Sequence, residues 1–108
     1  MIEITLAQNA PMPATDADCW VTVPANSQNI FPTPLVLGQQ LFVSLATDQG
    51  SGQQTIAEFP AYVTLGTTTP MGVRFMQAGQ VAEFRASRYT EGLGWRLIGG
   101  QYTETVEI

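Results

Sequence analysis

The sequence predicts an all-β domain, a β-sandwich or jelly-roll-like fold of roughly eight to ten short antiparallel strands. Three observations carry this expectation. Apolar residues recur with period two along most of the chain, turn residues interrupt them every eight to twelve positions or so, and no stretch shows the 3.6-residue spacing of an amphipathic helix. At 108 residues the chain fits a single domain spanning 1–108. A folded chain of this size buries roughly 65% of the surface it exposes when unfolded, enough for a modest core without metal or disulfide staples.

Each element follows from its residues. Ile2, Ile4 and Leu6 alternate with Glu3 and Thr5 and predict a first strand with one buried face. Residues 9–18 contain Pro11 and Pro13, which cannot continue a ladder, and read as a loop. Cys19 to Val23 forms a second strand that Pro24 ends, and Ala25-Asn26-Ser27 supplies turn chemistry. The segment Asn29 to Pro34 holds two prolines without backbone donors, so it is an edge or an arm and not a central strand. Gly38 to Thr47 places Leu41, Val43 and Leu45 on one face and Phe42 and Ser44 on the other, and residues 48–52 close it as a glycine turn.

Three more strands come at Gln54 to Phe59, Ala61 to Leu65 and Gly72 to Met76, separated by Pro60 and by residues 66–70. Gln80 to Ser87 alternates Ala82, Phe84 and Ala86 against Glu83, Arg85 and Ser87. Gly94 to Ile98 and Tyr102 to Ile108 complete the set. One internal echo stands out. Gly38-Gln39 leads through Phe42 to a glycine turn, and Gly79-Gln80 leads through Phe84 to another, as a duplicated hairpin or the ordinary reuse of turn residues.

Composition excludes more than it proposes. The chain has no histidine, and its four positive charges, Arg74, Arg85, Arg88 and Arg96, are all arginines. A nucleophile paired with an imidazole base, a Schiff-base lysine and an imidazole-ligated metal site are therefore out of reach. Cys19 is the single thiol, so an internal disulfide has no partner. With a formal net charge of −5 the chain suits neither nucleic acid, which asks for many cations, nor a membrane, which asks for a long apolar run. Its start lacks the basic and apolar regions of a targeting segment.

The remaining clusters favour structure over chemistry. Asp16 and Asp18 sit among Thr and Ala in a loop, where nothing separates their pKa values for acid–base work. Residues 48–52 offer a calcium loop only one carboxylate. Residues 92–94 are followed by strand, not by the helix a phosphate cradle uses. Cys19 beside Trp20 reads as a small buried hydrophobe next to a large one. The expectation is thus a chain with no catalytic residues, no metal and no cofactor.

The arginines point to assembly. Residues 1–73 hold five acids and no base, whereas residues 74–108 hold four of each. Two readings stand side by side: cross-strand pairing within one chain, with Arg96 diagonal to Glu83, or an arginine-bearing face meeting an acidic face of a neighbouring copy. The absence of lysine fits the second, because interfaces deplete lysine and enrich arginine. Phe31, beside Pro32, fits either the core or an anchor reaching into a partner.

The stretch Gly79-Gln80-Val81-Ala82-Glu83-Phe84-Arg85-Ala86, with Gly92-Leu93-Gly94-Trp95-Arg96-Leu97-Ile98-Gly99 after it, resembles a recurring ending in structural proteins of tailed-bacteriophage virions, the small β domains of fibres, spikes and capsid decoration or cement proteins. The resemblance implies a homo-oligomer, often a trimer, bound to the major capsid protein or another virion protein on the capsid exterior and made in the host cytoplasm. Because the chain lacks the repeats or long shaft of a fibre, it fits a stand-alone cement protein better than a tail or fibre component. Phe31, Arg74, Arg85, Arg88 and Arg96 are the interface candidates. A carbohydrate- or ligand-binding β-sandwich module is the other class, with Trp95, Tyr89 or Tyr102 as its aromatic platform.

Overall fold

A computed structural model describes residues 1–64, 67–90 and 92–108. Leu65 and Gly66, at the expected end of one strand and the start of the next turn, and Glu91 of the second glycine turn lie outside the described residues. Nine strands are present among the described residues: β1 (Ile2–Thr5), β2 (Cys19–Val23), β3 (Gln28–Ile30), β4 (Gln40–Leu45), β5 (Ile56–Thr64), β6 (Thr67–Arg74), β7 (Val81–Tyr89), β8 (Gly92–Gly100) and β9 (Glu104–Glu107). The protein is all-β and β-sandwich-like.

Pairing follows the path β1-β2-β4-β7-β8-β5-β6-β9, with β3 on β5. A single parallel bridge, Tyr62 to Trp95, joins β8 to β5, so the path folds into two layers, β1-β2-β4-β7-β8 and β3-β5-β6-β9. Alternation explains the packing between them. Cys19, Val21 and Val23 on β2, Leu41 and Val43 on β4, and Ala82, Phe84 and Ala86 on β7 all turn inward and are buried. Ala57, Phe59, Val73 and Phe75 meet them from the other layer. Phe59 is the hinge of this contact, with its ring centroid 4.3 Å from Phe84 and 4.8 Å from Phe31.

The expected antiparallel arrangement is corrected to a mixed one. The pairs β1–β2, β2–β4, β3–β5 and β5–β8 are parallel. The cause lies in the connections: residues 6–18 form a loop long enough to return the chain to the start of the sheet, and the link from β2 to β4 passes through β3 in the opposite layer. Parallel neighbours need crossovers of this kind, which two-residue hairpins do not supply. The hairpins β5–β6 and β7–β8 are antiparallel, as are β4–β7 and β6–β9.

Two strands expected on either side of Pro60 are one bent strand. The register between β5 and β6 shifts between Phe59 and Tyr62, which is where a residue without a backbone N–H can sit without losing a ladder bond. The bend lets β5 change partners along one edge, from β3 at residues 56–58 to β8 at Tyr62. Gly94 makes this crossing possible, since a Cβ there would stand 2.5 Å from the Ala61 carbonyl oxygen and 2.6 Å from Val63 Cγ2. β6 also starts earlier than expected, because Thr67 to Thr69 pair with β5 rather than forming a separator.

The internal echo is real in its first half. Gly38 and Gly79 both take positive φ, +81° and +90°. The Gln39 side-chain oxygen accepts from the Leu35 N–H, and the Gln80 side-chain oxygen accepts from the Met76 N–H, each four residues back. Gly38 donates to the Ala86 carbonyl while Ala86 donates to Gln39; Gly79 donates to the Leu45 carbonyl while Leu45 donates to Gln80. The two turns therefore cap opposite ends of the antiparallel β4–β7 pair in matching geometry. Beyond the two strands the likeness ends, since β4 runs into an irregular segment and β7 into a hairpin.

Candidate functional site

The four arginines, clustered in one third of the sequence, separate in space. Arg74 lies on β6 in the second layer and bonds Glu104 on the neighbouring strand at 3.2 Å. Arg85 and Arg96 stand directly opposite each other on β7 and β8 in the first layer. Glu83 forms its ion pair with Arg85, at 3.7 Å, so the expected diagonal partner Arg96 is not the one it takes. Arg88 is exposed near the end of β7. Only Arg85 and Arg96 of the arginine candidates share a face.

Phe31 is no anchor in this fold, being 1% exposed. Its burial follows from β3, which pairs with β5 so that Asn29 and Phe31 point inward while Gln28 and Ile30 point out. Phe31 donates its backbone N–H to the Glu58 carbonyl and stacks on Phe59. Trp95 is likewise withdrawn from a ligand platform. It is 2% exposed, and its indole N–H donates to the Pro32 carbonyl at 2.7 Å. The Pro32 backbone, expected in an edge or arm, is thus tied to the core through Trp95.

Chemistry remains unsupported by geometry. Among the described residues no group of three or more acidic or cysteine side chains gathers in a metal-binding arrangement. Cys19 is buried and gives its S–H to the Ala17 carbonyl. Burial first, and the Asp18 carboxylate second, push its thiol pKa upward, away from a reactive thiolate. The buried polar groups Ser27, Asn29 and Thr55 tie loops together: Asn29 donates to the carbonyls of Ala7 and Ala10, and Thr55 accepts from the Asn26 N–H.

Two surfaces were not marked by the sequence pattern. The first is the turn Leu35-Val36-Leu37, whose three consecutive aliphatic side chains are 55%, 47% and 53% exposed. Its backbone is held at both ends, by the Leu35 N–H on the Gln39 side chain and by the Gly38 N–H on the Ala86 carbonyl. Gln39, itself buried, donates to the carbonyls of Thr15 and Ala17, both at 2.8 Å, while accepting from Leu35. Its sequence signal was there: an aliphatic run that does not alternate, set between Pro34 and Gly38. The second surface is the outer face of the first layer, where Trp20 and Phe42 stack at 5.3 Å on neighbouring strands. Period two sets Phe42 opposite Leu41 and Val43, and the cross-strand register makes Trp20 its neighbour.

The fold and these surfaces describe a β-sandwich-like module with apolar groups on display. No protein-family model matches the chain, and no curated protein does.

Proposed function

We propose that the chain is a structural assembly module of the virion decoration or cement type, which attaches to a protein shell through the Leu35-Val36-Leu37 knob. The knob carries the proposal. Its twin turn has the same bracing by a Gly-Gln pair, yet presents Met76, Gln77 and Ala78 at the matching positions. The turn geometry therefore does not require aliphatic side chains at 35–37, and exposing them to water has no benefit within the isolated domain. A braced apolar projection loses little conformational freedom on docking, which is the property of a good interface anchor.

The resemblance of residues 79–100 to virion β domains supports the choice of a capsid shell as the partner. The acidic balance suits a surface that faces solvent and not packaged nucleic acid. Purified protein mixed with empty capsid shells and with isolated tails of the parent phage, then sedimented, tests the reading. Co-sedimentation with shells is expected. Recovery with tails alone would assign the chain to the tail, and recovery with neither at saturating protein would remove the virion reading.

A further inference from the structure

The outer face of the first layer has an ordered distribution of charge that the fold itself does not need. Register aligns Glu3, Trp20, Phe42 and Glu83 in one row across β1, β2, β4 and β7. The Trp20 indole N–H donates to Ser44 Oγ at 3.0 Å, so the polar edge of that ring is satisfied within the chain and what faces solvent is ring surface. The next outward row contains Gln40, Arg85 and Arg96. Asp18 sits at its other end, with its carboxylate accepting from the Gln40 N–H at 2.8 Å. The face therefore runs from Glu3 and Asp18 at β1 and β2, through an aromatic centre, to a β7–β8 edge where Arg85 and Arg96 outnumber the single acid Glu83.

The basic edge is also incompletely neutralised. Arg85 and Arg96 are directly opposite, an unfavourable placement for like charges, and Glu83 bonds only Arg85, at 3.7 Å. Carboxylates from outside this edge would relieve the pair.

We propose that this face docks on the same face of a second copy, about a two-fold axis that runs parallel to the strands and passes over β4. That rotation exchanges the edges of the sheet. Phe42 meets Phe42 of the second copy once, on the axis, while Asp18 faces Arg85, Glu3 comes to the β8 edge near Arg96 and Glu83 lies over Trp20, each of these three contacts occurring twice. A two-fold axis perpendicular to the strands would instead set acid on acid and base on base. The docking differs from a head-to-tail ring in being closed after two copies, and it uses a surface separate from the Leu35-Val36-Leu37 knob, so it stands whether or not the chain binds a shell.

Size sets the strength. Five strands at about 4.8 Å spacing span roughly 19 Å, and six residues of strand at about 3.3 Å each run about 20 Å, so the footprint is on the order of 400 Å², about half of the roughly 800 Å² per partner of a standard stable interface. The dimer is accordingly weak and forms in the high-micromolar range, with the edge charges fixing orientation more than affinity.

Sedimentation velocity on the full chain, from about 5 to 500 μM at low salt, reads the association directly. A concentration-dependent dimer is expected, with Phe42→Ser weakening it about tenfold or more and Glu3→Arg or Arg96→Glu each weakening it about threefold or more. Mixing the Glu3→Arg chain with the Arg96→Glu chain restores association, because every edge contact in the mixed dimer is again between opposite charges. Thermal melts of each variant confirm that it folds. A monomer at every concentration overturns the proposal, as does a dimer that ignores all three substitutions. Glycan binding that Phe42→Ser abolishes, in a chain that stays monomeric, would give the face to a sugar and overturn it equally.

Discussion

The turns at residues 35–39 and 76–80 share a backbone and a bracing scheme, and they differ in what they bury and what they show. Gln39 is buried and reaches across to hold the loop before β2 through Thr15 and Ala17. Gln80 is more open; its side-chain oxygen accepts a second N–H within its own turn, from Gln77, and its amide donates to the Thr103 hydroxyl at 3.3 Å. At the tip, Leu35-Val36-Leu37 stands against Met76-Gln77-Ala78. A turn of this shape can thus be made without three consecutive branched aliphatic residues. The aliphatic version is bound more tightly to the domain through its glutamine while showing more apolar surface, a combination that serves recognition better than folding.

Substitutions sharpen or break this comparison. The largest effect on stability is expected from Gln39→Ala, which strips two carbonyls and one N–H of their partners in a part-buried setting and costs about 2 to 3 kcal/mol, measured by denaturant unfolding. Gly38→Ala and Gly79→Ala come next. Both positions have positive φ and open space for a Cβ, so the backbone conformation alone sets a cost of about 1 kcal/mol for each. Unequal values would break the equivalence of the turns. Gln80→Ala, at a half-buried site whose freed N–H groups lie in an exposed turn, costs only about 0.5 kcal/mol. Smallest of all is the triple change Leu35→Ser, Val36→Ser and Leu37→Ser, which shifts stability by less than about 0.5 kcal/mol because side chains already half in water lose little packing.

The sequence was most legible where alternation is local. The inward faces of β2, β4 and β7 follow directly from Cys19-Val21-Val23, Leu41-Val43-Leu45 and Ala82-Phe84-Ala86, because period two is a property of each strand alone. Partnership was not legible. Whether β2 lies parallel to β4 depends on the path through β3, which residues 24–39 do not encode in any short pattern. The same limit explains the site. Phe31, followed by Pro32, fits either core or anchor from sequence, and its fate depends on β3 finding β5, a pairing between segments almost thirty residues apart. Trp95 was withdrawn for a related reason, since the carbonyl that receives its N–H, on Pro32, is 63 residues away. Trp20 and Phe42 became one surface only through the register of β2 on β4. The Gly-Gln echo, by contrast, was visible because each turn closes its bonds within five residues as well as across to its neighbour strand.

Under the proposed function, the knob at 35–37 serves a partner and not the fold. Co-sedimentation with empty capsid shells, comparing wild type, the 35–37 triple-serine chain and a control with serines at Met76, Gln77 and Ala78, tests it most directly. The knob variant should keep its unfolding midpoint and bind shells at least about tenfold more weakly, while the control binds as wild type does. Equal shell binding by wild type and the knob variant would contradict the claim.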